Sequence, residues 1–342
     1  MGNGSAGNRG PKRFSGGKEM SSRLIGTVAR GLCAPSVQPG TDLVDLVAHT
    51  VLAAAAQEGI ILHSSDLVGV SGTMVARAQN NLVTVDQLAE EVREKFGEDA
   101  TLGLLWPTFS TSYMAAVLRG IARGCKKLVL QLAYPLDESG RAVISLESLF
   151  EMGVDPYEDT LSEEGYLSLF GEENGGSGSG REYMDYCREV AEAEGCEIQF
   201  FFCNHPDELL KYTRNILYCH RRRSPRLEKK LLNRGVKRLY GLNDLCNQPC
   251  EDRGYHTRMG LLGAASDTSD RILLAPRDTS AFEDALGERL KQLIGVRLKV
   301  LVFMHGNPKE FTDMDAAPLC SMMGDSLSAS APVVLLQGYR PQ

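Results

Sequence analysis

The sequence predicts an α/β protein, and three observations predict it. Strand signals and amphipathic helix signals alternate through most of the ordered chain. Helix ends are punctuated by capping residues and by glycines placed just past the last apolar position. The composition of the 342 residues, 43% hydrophobic and 24% charged, is that of an ordinary globular protein. A chain of this length buries roughly 75% of its unfolded surface when compact, so a large core is expected.

In chain order, Leu24–Val28 reads as a strand. Thr41 is expected to cap a helix that runs to Glu58, with Leu43, Val44, Leu46, Val47, Val51 and Leu52 on one face and Gly59 as the stop. Val68–Ser71 is a short buried strand. Thr84 with Gln87 spells a capping box for a helix bearing Val85, Leu88, Ala89, Val92 and Phe96 and ending at Gly97. Thr101–Trp106 reads as strand, Ser112–Arg123 as helix closed by Gly124, and Lys127–Leu132 as strand.

Periodicity then fades. Residues 135–180 read as an insertion or linker that culminates in a Gly/Ser run at 175–180. Beyond it, Glu182–Glu194 is expected as helix, Glu197–Cys203 as strand, and Pro206 to about Leu217 as a further helix with proline in its first turn. Ser224-Pro225 opens a helix that Gly235 closes, followed by strand at Val236–Tyr240. Ser280 and Glu283 spell a second capping box for a helix ending at Gly295, before a strand at Leu298–Phe303. Past Pro318 the chain reads as unpatterned. The organisation expected is therefore a disordered tail over 1–20, an α/β part over 21–134, the 135–180 insertion, a second α/β part over 181–318 and an irregular tail over 319–342.

Charge and apolar runs exclude some classes of function. With 37 Lys+Arg against 44 Asp+Glu the net charge is −7, which disfavours a general nucleic-acid binder. No apolar run approaches the roughly 20 residues that span a bilayer. The nine cysteines are odd in number and scattered through predicted helices and strands; reduced thiols in a cytoplasmic protein are the expectation.

Ligands of α/β sheets bind beyond the carboxyl ends of strands, which directs attention to Ser71-Gly72-Thr73, Pro107–Ser110, Tyr134-Pro135, Asn204-His205 and His305-Gly306-Asn307. None of these forms a P-loop or a G-x-G-x-x-G turn. The basic run His220–Arg226 is either an anion-binding loop at a helix start or a solvated loop in an acidic protein. Arg119 and Arg123, one turn apart, are either an anion clamp or surface ion-pair partners. Cys246, Cys250 and His256, with Cys219 or His220 as a fourth ligand, could hold zinc, but their spacing matches no common finger.

Several blocks, in order and across most of the chain, carry a family resemblance. They include Arg23-Leu-Ile-Gly-Thr-Val-Ala-Arg-Gly31, Val75-Ala-Arg-Ala-Gln79, Leu118-Arg-Gly-Ile-Ala-Arg-Gly-Cys-Lys-Lys-Leu-Val-Leu130 and Gly153-Val-Asp-Pro156. Others are Leu169-Phe-Gly171, Asn215-Ile-Leu217, Tyr240-Gly-Leu242, Gly254-Tyr255 and Gly260-Leu-Leu-Gly263. The chain in these blocks resembles the coenzyme F420-0:L-glutamate (gamma-glutamyl) ligase family, in particular its bacterial branch with a central insertion. The resemblance implies a mixed-sheet α/β fold distinct from the Rossmann type and a homodimer. It also implies attachment of L-glutamate to the carboxylate of a deazaflavin coenzyme or analogue, with GTP and Mg²⁺ or Mn²⁺ as cofactors.

On that resemblance Arg77, Gln79 and Asn80 are the expected phosphate contacts, with Arg119 and Arg123 as second choices. Where the family carries an Asp-Gly pair this chain has His305-Gly306, and where it carries Gly-Ser-Asn this chain has Gly263-Ala264-Ala265. Position 72, an acid in related chains, is glycine. Asp267, Asp270 and His305 are then the expected metal ligands and His305 the expected catalytic residue; convergence of Asp267, Asp270, His305 and Glu310 on one cavity would mark the site. The alternative is a non-catalytic homologue that serves as a ligand- or partner-binding module.

Overall fold

A computed structural model describes residues 28–107, 115–134, 145–170, 179–219, 224–303 and 332–337. Among these residues the fold is a mixed α/β arrangement with three sheets. The first sheet has the order β1-β13-β2-β12, from β1 (Val28–Leu32), β13 (Val333–Gln337), β2 (Leu67–Ser71) and β12 (Lys299–Phe303). Strands β2 and β12 are parallel, and β13 runs antiparallel to both β1 and β2. Segments from both ends of the sequence thus meet in one sheet. Helices α1 (Leu43–Gln57) and α9 (Ser280–Ile294) supply its core through Val47, Val51, Leu286 and Leu290, all fully buried.

The second sheet is a six-stranded layer in the order β6-β7-β5-β4-β8-β9. Its parallel strands are β4 (Thr101–Leu105), β5 (Lys127–Leu132), β7 (Glu197–Phe202), β8 (Asn215–Tyr218) and β9 (Arg238–Gly241). A short strand β6 (Leu161–Ser162) adds antiparallel to the edge at β7. Helices α3 (Val85–Phe96), α4 (Ala115–Arg123) and α7 (Ser179–Ala193) pack together against this layer, and their apolar faces form the largest core cluster. A small third sheet, β10 (Ala265–Ser266), β11 (Arg271–Leu273) and β3 (Leu82–Thr84), lies between the two. The mixed strand directions agree with the fold class expected from the sequence.

Local signals placed many elements well. Thr84 Oγ1 accepts the Gln87 N–H while Gln87 Oε1 accepts the Thr84 N–H, so the capping box of α3 is complete. Lys127–Leu132 is strand β5 to the residue. Ser224 caps α8 (Pro225–Asn233) by accepting the Leu227 N–H.

Other readings are corrected. Asp42, not Thr41, caps α1 by accepting the Asp45 N–H, because Thr41 Oγ1 is taken by the Gln38 N–H. Thr279 rather than Ser280 precedes α9; Asp278 Oδ1 accepts the Ala281 N–H, and the Glu283 carboxylate leaves its own helix end to accept the Val302 N–H of β12. The helix expected from Pro206 to Leu217 is a 3-10 turn at Glu208–Lys211 followed by strand β8. Ile216 and Leu217 are fully buried between β4 and β9, and this long-range pairing overrides the local proline signal. The unpatterned reading beyond Pro318 is corrected at Val333–Gln337, where four consecutive apolar residues make a buried strand inside the first sheet.

Helix α2 (Gly72–Ala78) has no counterpart in the sequence reading. Within the stretch expected as insertion or linker the described residues form α5 (Leu146–Glu151), β6 and α6 (Glu163–Phe170). The strand expected at Leu24–Val28 falls outside the described residues except for Val28, where β1 begins.

Candidate functional site

The site is organised by α2, which leaves the carboxyl end of β2 and ends where Asn80 takes a left-handed conformation (φ 50°). That short helix aims Arg77 at the β10–β11 hairpin. Arg77 Nε and Nη2 both donate to Asp267 Oδ1, at 3.0 and 2.6 Å. The Arg77 side chain retains 36% exposure against 14% for Asp267, so the guanidinium faces solvent on one side. It opens onto a cavity of about 230 Å³ whose other walls are Ser36–Pro39, Leu82 and Arg271. The Gly40 N–H donates to the Ala78 carbonyl and fixes the 36–40 loop to the end of α2. Two guanidinium groups against one carboxylate leave the cavity positive, a field that favours an anionic ligand even in a chain of net charge −7.

Gln79 does not face this cavity. Its Nε2 donates to the Asp278 carbonyl and its Oε1 accepts the Arg277 N–H, both at 2.8 Å, so it splices α2 to the segment before α9. Asn80 is exposed at the turn. The neighbouring Asn81, not singled out by the sequence, is fully buried: its Nδ2 donates to the Ala275 carbonyl and its Oδ1 accepts the Tyr255 N–H. Its only sequence signal is a polar residue between a helix and an apolar strand.

Gly254 explains the Gly254-Tyr255 block. Its N–H donates to the Leu82 carbonyl at 2.7 Å, and a Cβ built there would lie 2.7 Å from Asn81 C and Leu82 N, backbone atoms that have no room to yield. Gly254→Ala should therefore destabilise the protein by about 1–3 kcal/mol through overpacking; an unchanged urea midpoint would show that the two segments can part.

Arg119 reaches the same hairpin from the opposite side. Its Nη1 donates to the Ser269 carbonyl at 2.7 Å while its Nε pairs with Glu194 at 3.2 Å. The Ala116 N–H of α4 also donates to Ser266 Oγ. Arg123 turns away, bonding Glu194 Oε2 and Asp86 Oδ1, each at 2.7 Å. These acceptors, Glu194 first, raise the Arg123 pKa above its already high ordinary value. Asp86 is 82% exposed, so that arm contributes little, whereas Glu194 is 11% exposed and joins α4 to α7.

Asp270 is exposed and accepts from Ser269 Oγ, whereas Asp267 faces Arg77. Among the described residues no three His, Cys, Asp or Glu side chains gather in a way that would hold a metal ion. His305 and Glu310 lie outside the described residues. The last described residue before them, Phe303, pairs with Ser71, and the Ser71 N–H donates to the Pro332 carbonyl. The chain therefore departs before His305 and returns after residue 331 at the start of α2.

The remaining strand-end residues serve the fold. Asn204 Nδ2 donates to the Tyr134 and Pro156 carbonyls, the His205 ring contacts the Tyr157 carbonyl, and Tyr134 Oη donates to the Asp159 carbonyl. Burial, reinforced by the Asp159 charge, pushes the Tyr134 phenol up to about 12, so it is a donor at neutral pH. Residues 107, 134 and 219 are the last described ones before 108–114, 135–144 and 220–223, so the Pro107–Ser110 and His220–Arg226 readings lie largely outside the described residues.

The zinc reading has no geometric support among the described residues. Cys246 is buried with its N–H on the Glu91 carboxylate, Cys250 is exposed, and His256 Nδ1 accepts the N–H groups of Arg258 and Met259. Burial lowers the His256 pKa and raises that of the Cys246 thiol.

The described residues define an α/β protein with a positive cavity at the end of a strand–helix turn, and no described helix is long and apolar enough to cross a bilayer. The family model described as F420-0:Gamma-glutamyl ligase matches residues 31–337. The chain belongs to the F420-0:gamma-glutamyl ligase family. Among curated proteins no significant match to it is found.

Proposed function

We propose that this protein is a nucleotide-dependent acid–amino-acid ligase that joins L-glutamate, through its α-amino group, to the carboxylate of a deazaflavin coenzyme or analogue. The family match over 31–337 is the observation that carries this reading, and the positive Arg77 cavity is consistent with its chemistry. In the first half-reaction the acceptor carboxylate attacks the terminal phosphorus of GTP, forming an acyl phosphate and releasing GDP. In the second, the glutamate amine attacks the acyl carbon, and phosphate leaves as the amide forms. Both halves accumulate negative charge on phosphoryl oxygens, which fixed guanidinium donors stabilise.

Arg77 is the proposed phosphate contact. Asp267 holds it in place until an anion competes for the same two N–H groups. Arg119 acts at one remove, by bracing the hairpin that carries Asp267. Mg²⁺ or Mn²⁺ would neutralise phosphate charge in this reading, with Asp267, Asp270 and His305 as its proposed ligands; the described members of that set do not form a cage by themselves. A cytoplasmic homodimer belongs to the same proposal, and sedimentation at micromolar concentration checks it against the 37.3 kDa chain mass.

The departures at Gly72, Gly263-Ala264-Ala265 and His305 favour a second reading, a non-catalytic homologue that binds a ligand or partner. One experiment separates them. Full-length protein is incubated with GTP, L-glutamate and a deazaflavin bearing a free carboxylate, with Mg²⁺, Mn²⁺ or chelator, and GDP and the amide product are followed by chromatography and mass spectrometry. The ligase reading expects both products only when metal is present. Folded protein that forms neither would favour the binding module.

A further inference from the structure

Two cysteines that no part of the ligase reading uses lie sulfur to sulfur. Cys125 follows α4 and Cys196 precedes β7; their Sγ atoms are 3.8 Å apart. They head adjacent parallel strands, since Lys127 of β5 is in register with Glu197 of β7 and the Glu197 N–H donates to the Lys126 carbonyl at 3.0 Å. Neighbouring strands stand about 4.8 Å apart, which brings the two backbones within the Cα separation a disulfide accepts, about 4.4–6.8 Å. The sulfurs need only close to about 2.05 Å, by side-chain rotation. Cys196 is buried and Cys125 is partly exposed, so an oxidant reaches the pair from the Cys125 side. The other described cysteines make no such pair: Cys33 and Cys250 are exposed, and Cys187, Cys203, Cys219 and Cys246 are buried.

We propose that Cys125 and Cys196 are a reversible thiol–disulfide pair that responds to hydroperoxides. Cys125 sulfur attacks the outer oxygen of the peroxide: an S–O bond forms, the O–O bond breaks, and water or an alcohol leaves carrying the thiol proton. Cys196 sulfur then attacks the sulfenic sulfur, the S–S bond forms, the S–O bond breaks, and hydroxide departs as water with the Cys196 proton. Two thiols lose two electrons and the peroxide gains them; a dithiol reductant reverses the change.

Either thiol can donate to the other across this contact, so the two sulfurs are already held at the approach that the second step needs. The bond would close the loop from 125 to 196, with the 135–180 insertion inside it. It would also fasten the end of α4, where Arg119 and Arg123 sit, to the turn just after their partner Glu194.

The test uses the full-length protein treated with hydrogen peroxide, then alkylated, digested and mapped by mass spectrometry without reduction. The expected result is a peptide linking Cys125 to Cys196, together with a rise in Tm of about 5 °C that dithiothreitol reverses. Cys125→Ser and Cys196→Ser should each abolish the linked peptide and the Tm shift, while Cys250→Ser should leave both. Peroxide-treated protein in which Cys125 and Cys196 are still alkylated, or in which Cys125 carries a sulfinic acid and no link, overturns the proposal. If Cys196→Ser does not fold, the wild-type map and Cys125→Ser decide it alone.

Discussion

Replacing Arg77 by alanine should lower kcat/KM for amide formation by at least about 100-fold, roughly 2.7 kcal/mol of transition-state stabilisation. The reason is positional. Arg77 opens both to Asp267 and to the cavity; Arg271 also lines the cavity, but among the described residues the guanidinium bonded to Asp267 is that of Arg77, and Arg119 and Arg123 are committed to Glu194. Arg77→Lys should recover little, because an ammonium cannot present the two N–H groups that Arg77 Nε and Nη2 direct at one oxygen. Stability should fall by no more than about 1 kcal/mol, since the Arg77 side chain is 36% exposed and water screens the pair. Steady-state kinetics on Arg77→Ala within twofold of wild type would remove this residue from the proposed site.

Glu91→Ala should be the most destabilising of the single changes considered, by about 3–5 kcal/mol in urea unfolding. Glu91 is 4% exposed on α3, and its two oxygens accept the Cys246 N–H, both at 3.1 Å, while Arg253 Nη2 approaches at 3.0 Å and Lys95 Nζ at 3.6 Å. Cys246 itself has a left-handed backbone, φ 55°, that a non-glycine residue tolerates only when its surroundings over-determine it. Removing the carboxylate orphans a buried N–H and strands a guanidinium that is 19% exposed. Glu91→Gln should cost less, because an amide oxygen still accepts from Cys246. Because the chain from Cys246 runs directly to Gly254, which packs on Asn81 beside α2, Glu91→Ala should also weaken the proposed binding of GTP at the Arg77 cavity. Equal urea midpoints for wild type and Glu91→Ala would show that the loop is held by its apolar contacts alone.

Signals that act over a few residues were legible in the sequence. The Thr84–Gln87 box, the Ser224 cap and the Lys127–Leu132 strand each depend on side chains within three or four positions, and the structure reproduces them. Of the blocks that carry the family resemblance, Val75–Gln79 contains Arg77 of the cavity wall and Gly254-Tyr255 packs on Asn81 and Leu82 beside it. Arg77 was legible as a phosphate candidate, but Asp267 as its partner was not, because the two are separated by 190 residues and meet only through the β11–β3 pairing. Arg123 and Arg119 looked alike on their helix, and both reach Glu194; only the folded chain, by bringing the Ser269 carbonyl to Arg119 and the Asp86 carboxylate to Arg123, distinguishes the hairpin brace from the interhelical tie.

By itself, then, the sequence determined the α/β class, the presence of helices at α1, α3, α7, α8 and α9, and the family. Tertiary structure alone decided which apolar runs become strands and which polar residues share a cavity. Asn215–Tyr218 and Val333–Gln337 carry no turn or cap that identifies them locally; each becomes a strand because a gap between two distant strands satisfies its backbone hydrogen bonds and buries its side chains. The same long-range closure sets the charge of the site. Backbone propensity reads through the nearest turn, whereas the field at Arg77 depends on whichever carboxylate the completed sheets carry to within 2.6 Å of it.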